Sequence, residues 1–185
     1  NYTSYSTKET KSRLSIIDVL RQDKPREYLF DEKAFDLMEV LKVSAKSINF
    51  LKTMVNDSGN TLSELESGNL VNGLKKDKTI LECAYISAYQ KAENSVKVLM
   101  TDDAPQYNLI TENSALCWIH EGRHYKKLSP IIEINREKIN EFLSQFWDYY
   151  KKLKLYKEKP SLETAKELEK TFDKLFSTKT GYDLL

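Results

Sequence analysis

The stretch Val98-Leu99-Met100-Thr101-Asp102-Asp103-Ala104-Pro105-Gln106-Tyr107 decides how the chain is read. The run from Val96 to Met100 is short and largely apolar with β-branched residues, which predicts a buried central strand. Thr101, Asp102 and Asp103 end it. Ala104-Pro105-Gln106 starts a short helix, since proline is tolerated in a first helical turn. A second strand is expected over Ser114 to Ile119, leading into His120-Glu121-Gly122-Arg123-His124. Strand, helix and strand within about 25 residues is the pattern of an α/β fold.

Working outward toward the start, Ile80, Leu81, Ala84, Tyr85 and Ala88 mark a helix running toward Asn94. Leu62, Leu65, Leu70 and Leu74 give a broken helical region before it. The cluster Asn56 to Asn60 predicts a loop. Ser44 to Val55 is helical in spacing, as is Phe35, Met38 and Leu41. Tyr28 to Phe30 reads as a strand capped by Asp31, and Arg13, Ile16, Ile17 and Leu20 as a helix stopped by Asp23-Lys24-Pro25. Alternating Tyr2, Ser4 and Tyr5 predict a strand already under way.

Toward the end, Ile139, Phe142, Leu143, Phe146, Tyr149, Tyr150 and Leu153 keep one helical face apolar, with Lys151, Lys152, Lys154 and Lys157 on others. Pro160 and Ser161 break and recap the chain. Leu162, Ala165, Leu168, Phe172, Leu175 and Phe176 form a second stripe, so a helical hairpin is expected over 130–185. The expected organisation is a unit over 1–129 with a helical excursion at about 32–94, followed by that hairpin.

Composition bounds the function. Of 185 residues, 40% are hydrophobic and 31% charged, the balance of a globular domain. With 29 basic and 28 acidic residues the formal charge is +1, which excludes a polycationic coat or an acidic tail but allows a local basic patch. Five glycines and four prolines are few for a sheet-rich protein. No early segment has the form of a secretory signal and no run is apolar enough to span a membrane, so a cytoplasmic protein is expected.

Four constellations bear on chemistry. Asp102 and Asp103 at a strand end could hold a divalent cation, or one of them could cap the following turn. His120-Glu121-Gly122-Arg123-His124 matches H-E-x-x-H, which on a helix puts two imidazoles on one face for zinc with Glu121 as base. Gly122 disfavours that helix, Pro130 limits it, and the third ligand would be an unmarked acid such as Glu141. Cys117 and His120 are spaced C-x-x-H, half a zinc knuckle with no second pair, so a buried thiol beside Trp118 is the plainer reading. Arg123, His124, Tyr125, Lys126 and Lys127 could meet a phosphate backbone or form an ordinary solvated helix face.

Taken together, Tyr2 to Tyr5 with Lys11 to Leu20, the Val98 to Tyr107 run, and Ala115-Leu116-Cys117-Trp118-Ile119-His120-Glu121-Gly122-Arg123-His124-Tyr125-Lys126-Lys127-Leu128 resemble transposases of the insertion-sequence-sixty-six type. The likeness extends through the hairpin to Thr178-Lys179-Thr180-Gly181-Tyr182. It implies a helix-rich α/β fold: a partial ribonuclease H-like core with an inserted α-helical subdomain. In that family three acids hold two Mg2+ or Mn2+ ions, DNA ends and target DNA are the partners, and the enzyme acts as a homo-oligomer. Asp102 matches the second acid, with Asp103 beside it as a further metal ligand. Cys117 and His120 match an active-site support, and Arg123, His124, Lys126 and Lys127 fall where DNA would be bound.

The resemblance also implies a first acid before Tyr2 and a third beyond Leu185, so this chain alone should be catalytically silent. Asp31, which also ends a strand, competes with Asp102 as the second acid. Only Asp102 precedes the Cys117–His120 block at close range. A zinc protease using His120, His124 and Glu121, and a non-catalytic helical DNA-binding module, are the competing functions.

Overall fold

The computed structural model describes residues 8–55 and 60–185, and these form a helix-rich α/β protein. The expected strand at Tyr2 to Thr7 and most of the loop at Asn56 to Asn60 lie outside the described residues. Two compact units divide the chain, residues 1–115 and 116–185.

In the first unit, Ser12 caps α1 (Arg13–Leu20) by accepting from the Ser15 amide. β1 (Glu27–Phe30) follows, and Asp31 caps α2 (Glu32–Val40). Ser44 caps α3 (Ala45–Met54). β2 (Asn60–Ser63) pairs antiparallel with β1, Tyr28 opposite Leu62, and a capping box of Ser63 and Glu66 starts α4 (Glu64–Val71). The expected helical excursion at 32–94 is therefore interrupted by a strand. Four residues with one large apolar side chain leave no readable period, and pairing with a strand some thirty residues earlier in sequence, Tyr28 opposite Leu62, is what fixes it.

α5 (Asp77–Lys91) is the axis of this unit. Ile80, Cys83, Ala84, Tyr85, Ile86, Ser87, Tyr89 and Gln90 are all buried, as expected for a helix surrounded by protein instead of lying on a surface. It packs against β1, α2, α1 and α4.

β3 (Val98–Thr101) and β4 (Asn113–Leu116) form a separate two-stranded sheet, joined through a 3-10 turn at Pro105–Tyr107. Here the expectation of a buried central strand is corrected. Val98 is 58% and Met100 69% exposed because they share the uncovered face of the strand, while Leu99 on the other face packs against the core. An apolar run signals a preference for burial but does not say whether anything covers it.

The second unit is α6 (Trp118–Lys127), α7 (Glu133–Glu158) and α8 (Leu162–Ser177). α7 and α8 form a hairpin and α6 packs with it, and the unit boundary falls at 115/116, where the sequence pattern predicts 129/130. Trp118 explains the shift. Its indole stacks on Phe146 at 4.3 Å and lies 5.3 Å from Tyr149, with Phe172 and Phe176 around it. Gly122 is inside this helix and is buried. A Cβ there would lie 2.4 Å from the Trp147 ring, so the glycine that disfavours the helix in isolation is what lets α6 approach α7. Among the described residues no helix is long and apolar enough to cross a membrane.

Candidate functional site

Asp102 ends β3 and lines a cleft of about 590 Å³ with Lys8, Thr10, Lys11, Ser15 and Tyr107, over an apolar floor from α1 and β3. The Asp102 carboxylate accepts from the Ala104 amide at 3.2 Å, and the Thr101 hydroxyl donates to the Asp102 carbonyl at 2.8 Å. The bond to Ala104 closes a tight i,i+2 turn just ahead of Pro105–Tyr107, which itself carries no side-chain cap, so neither acid is its cap; Asp102 lines the cleft, and Asp103, its neighbour, is exposed.

The segment after Asp102, residues 105–110, is fastened to α1 and α5. Arg13 donates to Glu82 at 2.9 Å, to the Pro105 carbonyl at 3.1 Å and to the Asn108 carbonyl at 3.2 Å. Gln90 Nε2 donates to the Leu109 and Ile110 carbonyls at 2.9 and 3.1 Å. Leu109 takes a left-handed φ of 72°, a conformation that a branched residue adopts only when its surroundings impose it. Neither Arg13 nor Gln90 stands out in sequence as a positioning residue. Arg13 falls in a helical stripe, and its reach to residues 105–108 is a long-range fact.

Asp31 is occupied otherwise. It is buried, and its Oδ1 accepts from the Ala34 amide at 3.0 Å and the Ser87 hydroxyl at 2.7 Å, while Oδ2 meets Lys91 at 2.7 Å. Burial works to raise its pKa, and these donors outweigh burial and hold the carboxyl below its ordinary range. A carboxylate committed to a helix cap, a hydroxyl and an ammonium is a structural one.

The remaining candidates lie in the second unit. Cys117 is at the N-cap of α6 and only partly buried, which corrects the expected buried thiol: Trp118 turns into the aromatic core and leaves its neighbour at the helix start. The His120 imidazole beside it, with the His120 and Ile119 amides, holds the thiol below its usual pKa. His120 Nδ1 is buried without a hydrogen-bond partner.

His120 and His124 are one helical turn apart on α6, but the zinc arrangement is not assembled. His124 lies 3.9 Å from Glu121, and Glu121 also accepts from Tyr125, whose hydroxyl is pushed up by burial and by that carboxylate. Glu141 is exposed and takes a contact from Gln145 at 3.4 Å. Among the described residues no group of three His, Cys, Asp or Glu could hold a metal ion. Arg123, His124, Lys126 and Lys127 are all exposed along α6.

No family model matches the chain, and no solved structure matches it. It is similar to the uncharacterised protein y4jO of Sinorhizobium fredii, 24% identical over 191 residues, covering 99% of this chain and 58% of that protein. The chain thus spans little more than half the length of the relative it matches.

Proposed function

We propose that the chain is part of a DNA transposase of the insertion-sequence-sixty-six type, with a ribonuclease H-like core that supplies Asp102 as one carboxylate of a divalent-metal centre. The observation that supports this best is Asp102 itself, which follows a strand, lines a cleft and accepts from the Ala104 amide, just ahead of a segment that Arg13 and Gln90 fasten at residues 105–110. A carboxylate oxygen is the hard donor that Mg2+ or Mn2+ selects. Asp103 adds a second oxygen donor next to it.

The described residues do not by themselves complete a two-metal donor set, so the reaction would draw its other carboxylates from the longer protein. When bound, such ions would activate the attacking oxygen and stabilise the leaving one in phosphodiester chemistry. This chain's own contribution is to fix Asp102, to hold Cys117 and His120 at the start of α6, and to present Arg123, His124, Lys126 and Lys127 to DNA phosphates. Transposon ends and target DNA are the proposed partners, with homo-oligomers of the complete protein pairing the ends.

The test belongs to the longer protein. Asp102→Asn should abolish divalent-dependent strand cleavage at the element's ends, while Asp31→Asn should lower stability and leave cleavage measurable in the folded fraction. Cleavage that survives Asp102→Asn would overturn the assignment.

A further inference from the structure

We infer that the second unit carries a single-stranded DNA site on the Trp147–Tyr150 face of α7, with Lys126 and Lys154 as its phosphate contacts. The inference deepens the DNA-handling reading and rests on it for the choice of DNA over RNA. It starts from an aromatic that leaves the core. Phe142, Phe146 and Tyr149 are buried along α7, whereas Trp147 and Tyr150 are each only partly buried, so part of each ring reaches the surface. Trp147 meets Tyr150 edge-on at 5.9 Å.

Both rings are topped by lysines. Lys126 Nζ lies 5.6 Å from the Trp147 ring centre and Lys154 Nζ 5.3 Å from that of Tyr150. Helical spacing puts residues 147, 150, 151 and 154 on one stripe. Lys151 on that stripe is paired with Asp148 at 2.9 Å, so the cationic character of the patch rests on Lys126 and Lys154, with Arg123 one turn before Lys126 on α6. Rings underneath and ammoniums above are the two elements that nucleic-acid strands require, a stacking platform and phosphate neutralisation.

The choice of a single strand follows from the rings. In a duplex every base face is already stacked on its neighbours, so a partly exposed indole offers nothing that a lysine does not. An unpaired base can lie on Trp147 or Tyr150 once the lysine swings from the ring to the adjoining phosphate. The platform is rigid because Gly122 and Phe146 back the indole, and Tyr150 stacks parallel to Trp118 at 6.3 Å.

The experiment titrates the whole 185-residue chain with a fluorescein-labelled oligothymidylate of about 16 nucleotides, a duplex of the same length and the matching oligouridylate, read by anisotropy and by tryptophan quenching. The thymidylate is expected to bind at least about ten-fold more tightly than the duplex, with the preference coming from stacking. Affinity should fall with salt, and the slope should shrink by roughly 1.4 in Lys126→Glu/Lys154→Glu, about 0.7 for each phosphate contact on a single strand. Trp147→Phe, which keeps a ring against Gly122, should remove most of the quenching; an unchanged melting curve shows that it folds. Equal or tighter duplex binding, tighter uridylate binding, or a double variant that binds as well as the parent would overturn the site. Titrating the same samples with Mn2+ separates the two readings. Thymidylate binding without metal binding supports the stacking face and counts against the Asp102 centre; metal binding without thymidylate binding overturns the stacking face alone.

Discussion

The two units solve the same problem, burying enough surface to be stable, in opposite ways. The first threads α5 through its middle and stitches it with directional polar contacts. Arg26 grips Asp18 with two bonds of 3.0 and 2.7 Å, Tyr85 adds its hydroxyl to the same carboxylate at 3.0 Å, and Asp31, Ser87 and Lys91 form a second knot. The second unit closes around Trp118, Phe142, Phe146, Tyr149, Phe172 and Phe176, whose rings meet one another in stacked, tilted and edge-on pairs. Directional bonds fix where a particular residue sits. Aromatic packing stabilises mainly through buried area and tolerates the close approach that Gly122 provides.

The contrast can be broken at its centres. Trp118→Ala should cost about 3–5 kcal/mol, the usual loss for a large aromatic removed from a core, seen as faster amide exchange across α6, α7 and α8. Asp18→Asn should cost about 1.5–3 kcal/mol, since Arg26 and Tyr85 lose a charged acceptor, with the loss appearing in α1 and α5.

The Asp18 network also predicts a pH dependence. Burial tends to raise the Asp18 pKa, but Arg26 and Tyr85 outweigh it, so the folded value lies below the unfolded one. The stabilisation is therefore fully present above the ordinary carboxylate range and is lost as pH falls through the depressed value. The melting temperature of the first unit should fall as pH drops through and below the ordinary carboxylate range, and Asp18→Asn should flatten that slope. A slope unchanged in the variant would place the acid sensitivity elsewhere.

Smaller effects sharpen the comparison. Gly122→Ala should destabilise the second unit by about 1–3 kcal/mol, the range for overpacking, because its methyl meets the Trp147 ring. That sign is opposite to the helix-propensity gain expected at an open site. Least disruptive is thiol chemistry. Burial pushes the Cys83 thiol up to about 12, while His120 and the α6 amides hold Cys117 down. Iodoacetamide should label Cys117 first, and His120→Ala should slow that labelling.

Most helices are legible in sequence because their apolar spacing and caps are local. Ser12, Asp31, Ser44 and Ser161 each precede the helix they cap. β2 is not legible, since Asn60–Ser63 becomes a strand only by pairing with β1. The exposure of β3 is hidden as well, because Val98 and Met100 are apolar but uncovered. At the site, Asp102 and Asp103 are marked by their position after an apolar run, whereas Arg13 and Gln90 act through carbonyls far away in sequence. Trp147 does leave a trace: it lies off the stripe formed by Phe142, Phe146 and Tyr149, and an aromatic off the buried stripe faces elsewhere.

Mn2+ binding followed by electron paramagnetic resonance tests most directly, on this chain, the proposed role of Asp102 as a ligand for a hard divalent cation. Weak Mn2+ binding that is lost in Asp102→Asn and kept in His120→Ala is the predicted result. Mn2+ binding untouched by Asp102→Asn, or stoichiometric zinc that disappears in His120→Ala, would contradict it.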